Sequence, residues 1–275
     1  MDSIYKNISS VIQSVSTSDG TREINALLGD GVFDFPKPSK LLQLLVEQVK
    51  DEEAIVLDFF AGSCSIAHAV MSVNARDKAN RRFIVVQLPE ACDEKSAAKS
   101  AGYNTISEIG RDRIKKAKDA LSVSNPDAKE LDGGFKLFRL SNSNIQAWNP
   151  DRKDLEETLL SHQEHLVEGR SEQDVLYELL LKRGVDLAVP IESREVGGKN
   201  IYSIGYGVLF ACLDESISRD QIEEIAQAII DWYAELAPSS DTHVFFRDSA
   251  FRDDVSKTNM AAILEQNGIT HVRSL

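Results

Sequence analysis

Along this chain, short apolar runs alternate with amphipathic stretches of helical period. In FDFPKPSKLLQLLVEQVK, Leu41, Leu42, Leu45, Val46 and Val49 recur at three- and four-residue spacing, which predicts a helix with one apolar stripe. Pro36 and Pro38 hold its approach extended, and Ser39 stands where a cap or first-turn residue belongs. AIVLDFF is short and apolar throughout, the pattern of a strand covered on both faces of a sheet. SIAHAVMSVNA predicts a helix and RRFIVVQL a second buried strand, reached by a crossover of parallel-sheet length. DEKSAAKSAG and TISEIGRDRIKKAKDAL predict two helices with Gly102 as a cap between them. SNPDAKELDGG reads as a loop, and FKLFRL alternates like a third strand. Strand-helix-strand-helix order implies the α/β class and a doubly wound parallel sheet.

A composition shift at AWNPDRKD, with Asn149-Pro150 and charge, marks a linker. Beyond it the pattern predicts helices at 153–167 and 172–183, strand-like LAVPIE and IYSIGYGVLFACL, and a helix in SRDQIEEIAQAIIDWYAEL. THVFFRD, SKTNMAAILEQNG with Gly268 past its end, and ITHVRSL complete a second α/β unit. The resulting division is an N-terminal extension at 1–23 with a poorly ordered tip, a first unit at 24–150 and a smaller second unit at 151–275.

Composition narrows the class. At 42% hydrophobic and 27% charged residues the chain is an ordinary globular one, and no run approaches the roughly 18 apolar residues of a membrane span. MDSIYKNISSVIQSV has neither the basic start nor the apolar core of a secretory signal, so a cytoplasmic location is expected. A net charge of -13 argues against this chain alone gripping a phosphate backbone. The basic stretch RDRIKKAK interleaves with Ile114, Ala117 and Leu121 at helical spacing and reads as a solvated helix face. Cys64, Cys92 and Cys212 fit neither a disulfide framework nor a zinc knuckle and read as reduced structural thiols. His162 and His165 could share a helix face, but nothing around them completes a metal site.

The turn after the first strand carries the candidate chemistry. Asp58 ends that strand at the carboxyl edge of the sheet, where open α/β folds bind ligands. Ala61, Gly62 and Ser63 let a ligand approach the backbone, and the helix that follows offers unpaired N–H groups to an anionic group. Gln87 and Glu90 end the second strand, where polar side chains meet ribose hydroxyls. With only Gly62 present the turn is not G-x-G-x-x-G and would cradle a pyrophosphate poorly. An S-adenosylmethionine cradle, a purely structural turn and a dinucleotide site all stand as readings at this point.

Three blocks narrow the choice by resemblance. VFDFPKP, VLDFFAGSCSIAHAVMSVNA and NRRFIVVQLPE with DEKSAAKSAGYNTISEIGRDRIKKA resemble, in order, the cofactor motifs of the permuted class of amino-methylating DNA methyltransferases. They are most similar to the Mod subunit of type III restriction-modification systems. FKLFRLSNSNIQAW and FFRDSAFRDDVSKTNMAAILEQNGITHVRSL extend the likeness over residues 24 to 275. The resemblance implies a partial Rossmann-like methyltransferase sheet, with a smaller C-terminal α/β domain, binding S-adenosylmethionine. It places Lys37 and Pro38 beside the methionine end and Asp58, Phe60, Ala61, Gly62 and Ser63 around it. Gln87 or Glu90 would meet the ribose, and Cys64 departs from glycine-rich forms of the turn.

The family's base-binding motif, Asp or Asn then Pro-Pro-aromatic, holds the flipped base by its exocyclic amine. The seven prolines include no adjacent pair, and Trp148-Asn149-Pro150-Asp151 reads as a turn. In the permuted class this motif and the target-recognition region precede the cofactor blocks, where this sequence has 23 residues. The resemblance therefore implies the cofactor-binding half of a DNA adenine-N6 methyltransferase, without catalytic residues of its own and inactive alone. DNA would bind only in the complete assembly, and the partners would be the missing half, a restriction subunit or a second copy. The alternatives are a Mod-derived interaction module with a vestigial pocket and, third, a nicotinamide oxidoreductase.

Overall fold

The computed structural model describes residue 9 and residues 11–124, 132–145 and 166–275. The linker at AWNPDRKD, the turn at Trp148-Asn149-Pro150-Asp151, His162 and His165, the N-terminal tip, and all but the last two residues of the helix expected at 153–167 lie outside them, and those two, Leu166 and Val167, are not helical. The chain forms two compact units, Met1–Phe135 and Lys136–Leu275.

The first unit contains α1 (Thr17–Leu28), α2 (Ser39–Val46), β1 (Ile55–Asp58), α3 (Ser65–Asp77), β2 (Arg82–Val85), α4 (Ala97–Ser100) and α5 (Ile106–Ser124). Helix α1 starts in a reciprocal capping box between Ser16 and Asp19, which satisfies two otherwise orphaned amides. Strands β1 and β2 pair in parallel, Val56 opposite Phe83 and Leu57 opposite Ile84. Helix α3 is the centre of the unit and packs on α2, α5 and β2. Its Val70 and Val73 meet Val46 and Ile66 and, from the sheet, Val56, Phe83 and Val85. Burying each such valine contributes about 1.5–3 kcal/mol.

The structure departs from the sequence pattern in two places. The strands are not covered on both faces: the second face lies open, and among the described residues no helix lies over it. Nor does FKLFRL make a third strand, since residues 135–140 pair with nothing as a ladder. Alternation alone cannot supply a neighbouring strand. Phe135 packs against α3 and α5 of the first unit, whereas Lys136 donates to the carbonyls of Leu187 and Val189 in the second. Phe138 stacks edge-on against Tyr177, and Leu140 is fully exposed.

The second unit contains α6 (Glu172–Arg183), β3 (Ile191–Val196), β4 (Lys199–Ile204), β5 (Leu209–Cys212), α7 (Ile222–Leu236), β6 (His243–Phe246), α8 (Asp254–Gln266) and β7 (His271–Ser274). The strands form one sheet in the order β3-β4-β5-β6-β7, antiparallel across β3-β4-β5 and parallel across β5-β6-β7. Gly197 and Gly198, both at positive φ, make the two-residue turn between β3 and β4. One face carries a core around Phe210, Trp232, Phe246 and Met260, the other a core around Leu176, Leu180, Ile204 and Phe245. No helix among the described residues is long and apolar enough to cross a membrane.

Candidate functional site

The turn between β1 and α3 is closed by its own backbone. Val86 N–H donates to the Asp58 carbonyl at 2.8 Å, Ala61 N–H to the Val86 carbonyl at 3.1 Å, and Cys64 N–H to the Ala61 carbonyl at 2.7 Å. The Asp58 carboxylate accepts the Phe60 N–H at 3.0 Å, and the Gln87 side-chain oxygen accepts the Gly62 N–H at 2.7 Å. Gly62 and Cys64 both sit in the left-handed region, at φ +52° and +58°. Ala61 and Ser63 are buried, whereas Phe60 is 87% exposed. Helix α3 then begins at Ser65 with no side chain capping it.

Behind the turn lies a charge pair of buried Arg113 and half-buried Glu23. Arg113 of α5 is 0% exposed. Its Nη1 donates to Ser63 Oγ at 2.8 Å and Ser65 Oγ at 2.6 Å, and its Nη2 to Glu23 Oε2 of α1 at 3.0 Å. Glu23 also accepts the Ser39 N–H at 3.0 Å and the Ser39 hydroxyl, at the first residue of α2. His68 Nδ1 lies 3.2 Å from Glu23 Oε1 without hydrogen-bond geometry. Burial draws the His68 pKa below its ordinary value, against the pull of Glu23, so the imidazole is neutral at pH 7. Burial likewise pushes the Cys64 thiol up to about 11, which makes it a packing group and no nucleophile.

Two helical glycines let these segments approach. A Cβ on Gly20 of α1 would stand 2.3 Å from the Pro36 carbonyl oxygen and 2.9 Å from Pro38 N. A Cβ on Gly110 of α5 would stand 2.6 Å from Cys64 Sγ and 3.2 Å from the Gly62 carbonyl oxygen. The Pro36-Lys37-Pro38 segment therefore lies on the backbone of α1, and the turn on that of α5.

The structure gathers Asp58, Phe60, Ala61, Gly62, Ser63 and Gln87 at the turn. Lys37 is exposed and Pro38 buried on the segment that Ser39 ties to Glu23. Glu90 is exposed, and its backbone carbonyl accepts the Ile106 N–H at the start of α5. Glu23, Gly20 and Gly110 are not among the residues the sequence pattern points to, and Arg113 is buried where RDRIKKAK predicts a solvated face. Two signals were present. Arg113 stands midway between Ile109 and Ala117, on the apolar stripe itself. A glycine inside a helix costs about 1 kcal/mol against alanine, so Gly20 and Gly110 ask for a reason.

Chemically, the donor set is one strand-end acid, an uncapped helix N-terminus and a backbone stripped of side chains. It suits a ligand end bearing both ammonium and carboxylate, and it lacks the successive glycines that admit a pyrophosphate. Beside it, Ile55, Leu57 and Ile84 are 50% to 52% exposed and share one face of the β1–β2 sheet, and Val86 and Leu88, just past β2, are 46% and 62% exposed. Phe59, 64% exposed, adjoins them.

Comparison with known proteins gives a consistent result. Residues 4–136 match the family model of a DNA methylase. The chain is 44% identical over 126 residues to the Mod subunit of the type III restriction-modification enzyme StyLTI of Salmonella typhimurium, which is 46% of this chain and 19% of that subunit. It is 32% identical over 204 residues to the EcoP15I Mod subunit of Escherichia coli, 70% of this chain and 29% of that one. It is 31% identical over 106 residues to the type II methyltransferase M.KpnI of Klebsiella pneumoniae, 38% of this chain and 25% of that enzyme. The chain spans less than a third of the length of each of these relatives.

Proposed function

We propose that this chain, whose residues 4–136 match a DNA methylase family and which is similar to type III Mod subunits, is the S-adenosylmethionine-binding part of a type III-like DNA adenine-N6 methyltransferase. The observation that carries the reading is the turn itself, with Asp58 at the strand end, small residues to Ser63 and an uncapped α3. When bound, the cofactor supplies an activated methyl group. Asp58 would answer its ammonium group, Lys37 and the start of α3 its carboxylate, and Ala61, Gly62 and Ser63 would give it room. Gln87 holds the Gly62 amide and so fixes the turn, and Glu90 remains for the ribose hydroxyls.

The acceptor base and the DNA come to this site only in a larger assembly. The open apolar face of the β1–β2 sheet supports that half of the reading, since parallel sheets are stable with both faces covered. A polypeptide carrying the base-binding motif and target-recognition region would cover it; a restriction subunit and a second copy are further partners. The same open face favours a second reading, a Mod-derived interaction module whose pocket no longer works.

Titration calorimetry of the purified chain with S-adenosylmethionine separates the two. Micromolar binding abolished by Asp58→Ala supports the cofactor site, and no binding favours the module. The chain alone is expected to methylate no DNA. Turnover by the single polypeptide would overturn the split-site reading.

A further inference from the structure

We infer that the pair of buried Arg113 and half-buried Glu23 is a positioning device that couples the two segments of the candidate cofactor site, Pro36–Ser39 and Asp58–Ser65. The inference rests on the cofactor reading above, but its structural content can be tested without cofactor.

Arg113 has no exposed surface, so its charge must be answered inside the protein. A pair serving the core alone would need only each other. Here one guanidinium nitrogen serves Ser63 and Ser65 and the other serves Glu23. Glu23 in turn receives both the amide and the hydroxyl of Ser39. The chain Ser39–Glu23–Arg113–Ser63/Ser65 thus runs from the first segment to the second through two side chains. Those side chains come from α1 and α5, which also pack on each other.

Neither residue is a catalytic residue, because each acts through serines of the segments it holds. Glycine placement supports the same division of labour. Gly20 brings the first segment down onto α1, three residues from Glu23, and Gly110 brings the turn down onto α5, three residues from Arg113. Each helix therefore carries, one turn apart, a glycine that admits a segment and a charged residue that ties it.

Four variants test this: Ser39→Ala, Ser65→Ala, Arg113→Lys, and the double variant Glu23→Gln/Arg113→Met, which replaces the ions by neutral groups of similar volume. Peptide-resolved hydrogen exchange on the full chain without ligand is expected to rise about tenfold in both segments of the double variant, while β4 and β5 stay unchanged. Ser39→Ala is expected to raise exchange in the turn as well as at its own site, and to lose that remote effect in the double-variant background. Arg113→Lys keeps a charge opposite Glu23 but has no fork. It should leave the chain folded while weakening S-adenosylmethionine binding about tenfold. A merely structural pair would be rescued by lysine.

Exchange that rises in one segment alone, or a lysine variant with wild-type affinity, overturns the coupling. Should the double variant fail to fold, the two serine variants decide the matter, since each removes one hydroxyl. If the wild-type chain binds no S-adenosylmethionine, the functional reading falls and exchange still decides the coupling.

Discussion

Replacing Gly20 by alanine sets two effects of opposite sign against each other. Gly20 lies in the first turns of α1, whose start is already secured by the Ser16–Asp19 capping box. Helix propensity alone makes alanine more stable there by about 1 kcal/mol. The new methyl group, however, would stand 2.3 Å from Pro36 O, 2.9 Å from Pro38 N and 3.1 Å from Lys37 C. All three are backbone atoms, so no rotamer change relieves the contact. Segment 36–38 has to withdraw by about 1 Å, and overpacking of this kind costs about 1–3 kcal/mol. Withdrawal also loosens the bonds from Ser39 to Glu23, each worth about 1.5–3 kcal/mol as hydrogen bonds to a charged group. The contact term wins, and Gly20→Ala is expected to destabilise the first unit by about 2 kcal/mol. Trp232 is buried in the core of the second unit, so its fluorescence would follow the wrong transition. Hydrogen exchange of α1 and α2 peptides across a urea series reads the right one. An alanine variant as stable as wild type, or more so, would refute the close approach of Pro36–Pro38 to α1.

Gly110→Ala is expected to cost about 1 kcal/mol, less than Gly20→Ala because Cys64 Sγ can turn aside. Cys64→Gly should restore it, and a double-mutant cycle by urea unfolding reads the coupling. Partial burial works to raise the Glu178 pKa, but hydrogen bonds from Lys182, Ser143 and Asn144 hold it down at about 2 against 4.5. A depressed carboxylate stabilises above its unfolded pKa, so the tie of residues 143–144 to α6 is fully present above pH 4.5 and is lost as pH falls through about 2. Exchange at the Asn144 amide should rise across that window, and a flat profile would contradict it. Leu57→Lys with Ile84→Lys, on the open sheet face, is expected to shift stability by no more than about 0.5 kcal/mol. The same change should abolish capture of a co-expressed polypeptide carrying the base-binding motif, and a large loss of stability would mean the face is covered within this chain.

Much of the local structure was legible because its causes are local. The stripe through Leu41, Leu42, Leu45 and Val46 became α2 starting at Ser39, although the helix stops short of Val49, which is exposed, and the apolar runs became β1 and β2 in parallel register. FKLFRL failed because an alternating pattern states which faces a strand would have, and says nothing of a neighbour to pair with. The expectation of two covered faces failed for a related reason. A continuous apolar run shows what a sheet can bury, while Ile55, Leu57 and Ile84 show that this chain does not bury it. Arg113 was hidden by distance: its partners Ser63, Ser65 and Glu23 lie 50, 48 and 90 positions away. Nothing within RDRIKKAK distinguishes it from its solvated neighbours except its place on the stripe.

Backbone strain ties these observations together. In the first unit, the described non-glycine residues at positive φ are Phe35, Cys64 and Lys78. Lys78 closes α3 as its C-cap, an ordinary place for the left-handed region. The other two stand at the two candidate cofactor segments, Phe35 just before Pro36 and Cys64 within the turn. A non-glycine residue held there costs about 1–2 kcal/mol and persists only where its surroundings over-determine it. The surroundings that do so are on hand. Pro36 and Pro38 rest on Gly20 while Ser39 is bound to Glu23; Cys64 rests on Gly110 while Ser63 and Ser65 are bound to Arg113. Cys64 thus adopts the conformation for which a glycine would be chosen, and its buried thiol fills the space that Gly110 leaves. The turn keeps its shape through α1 and α5, not through glycine in the turn itself, which is why a single Gly62 suffices in the motif.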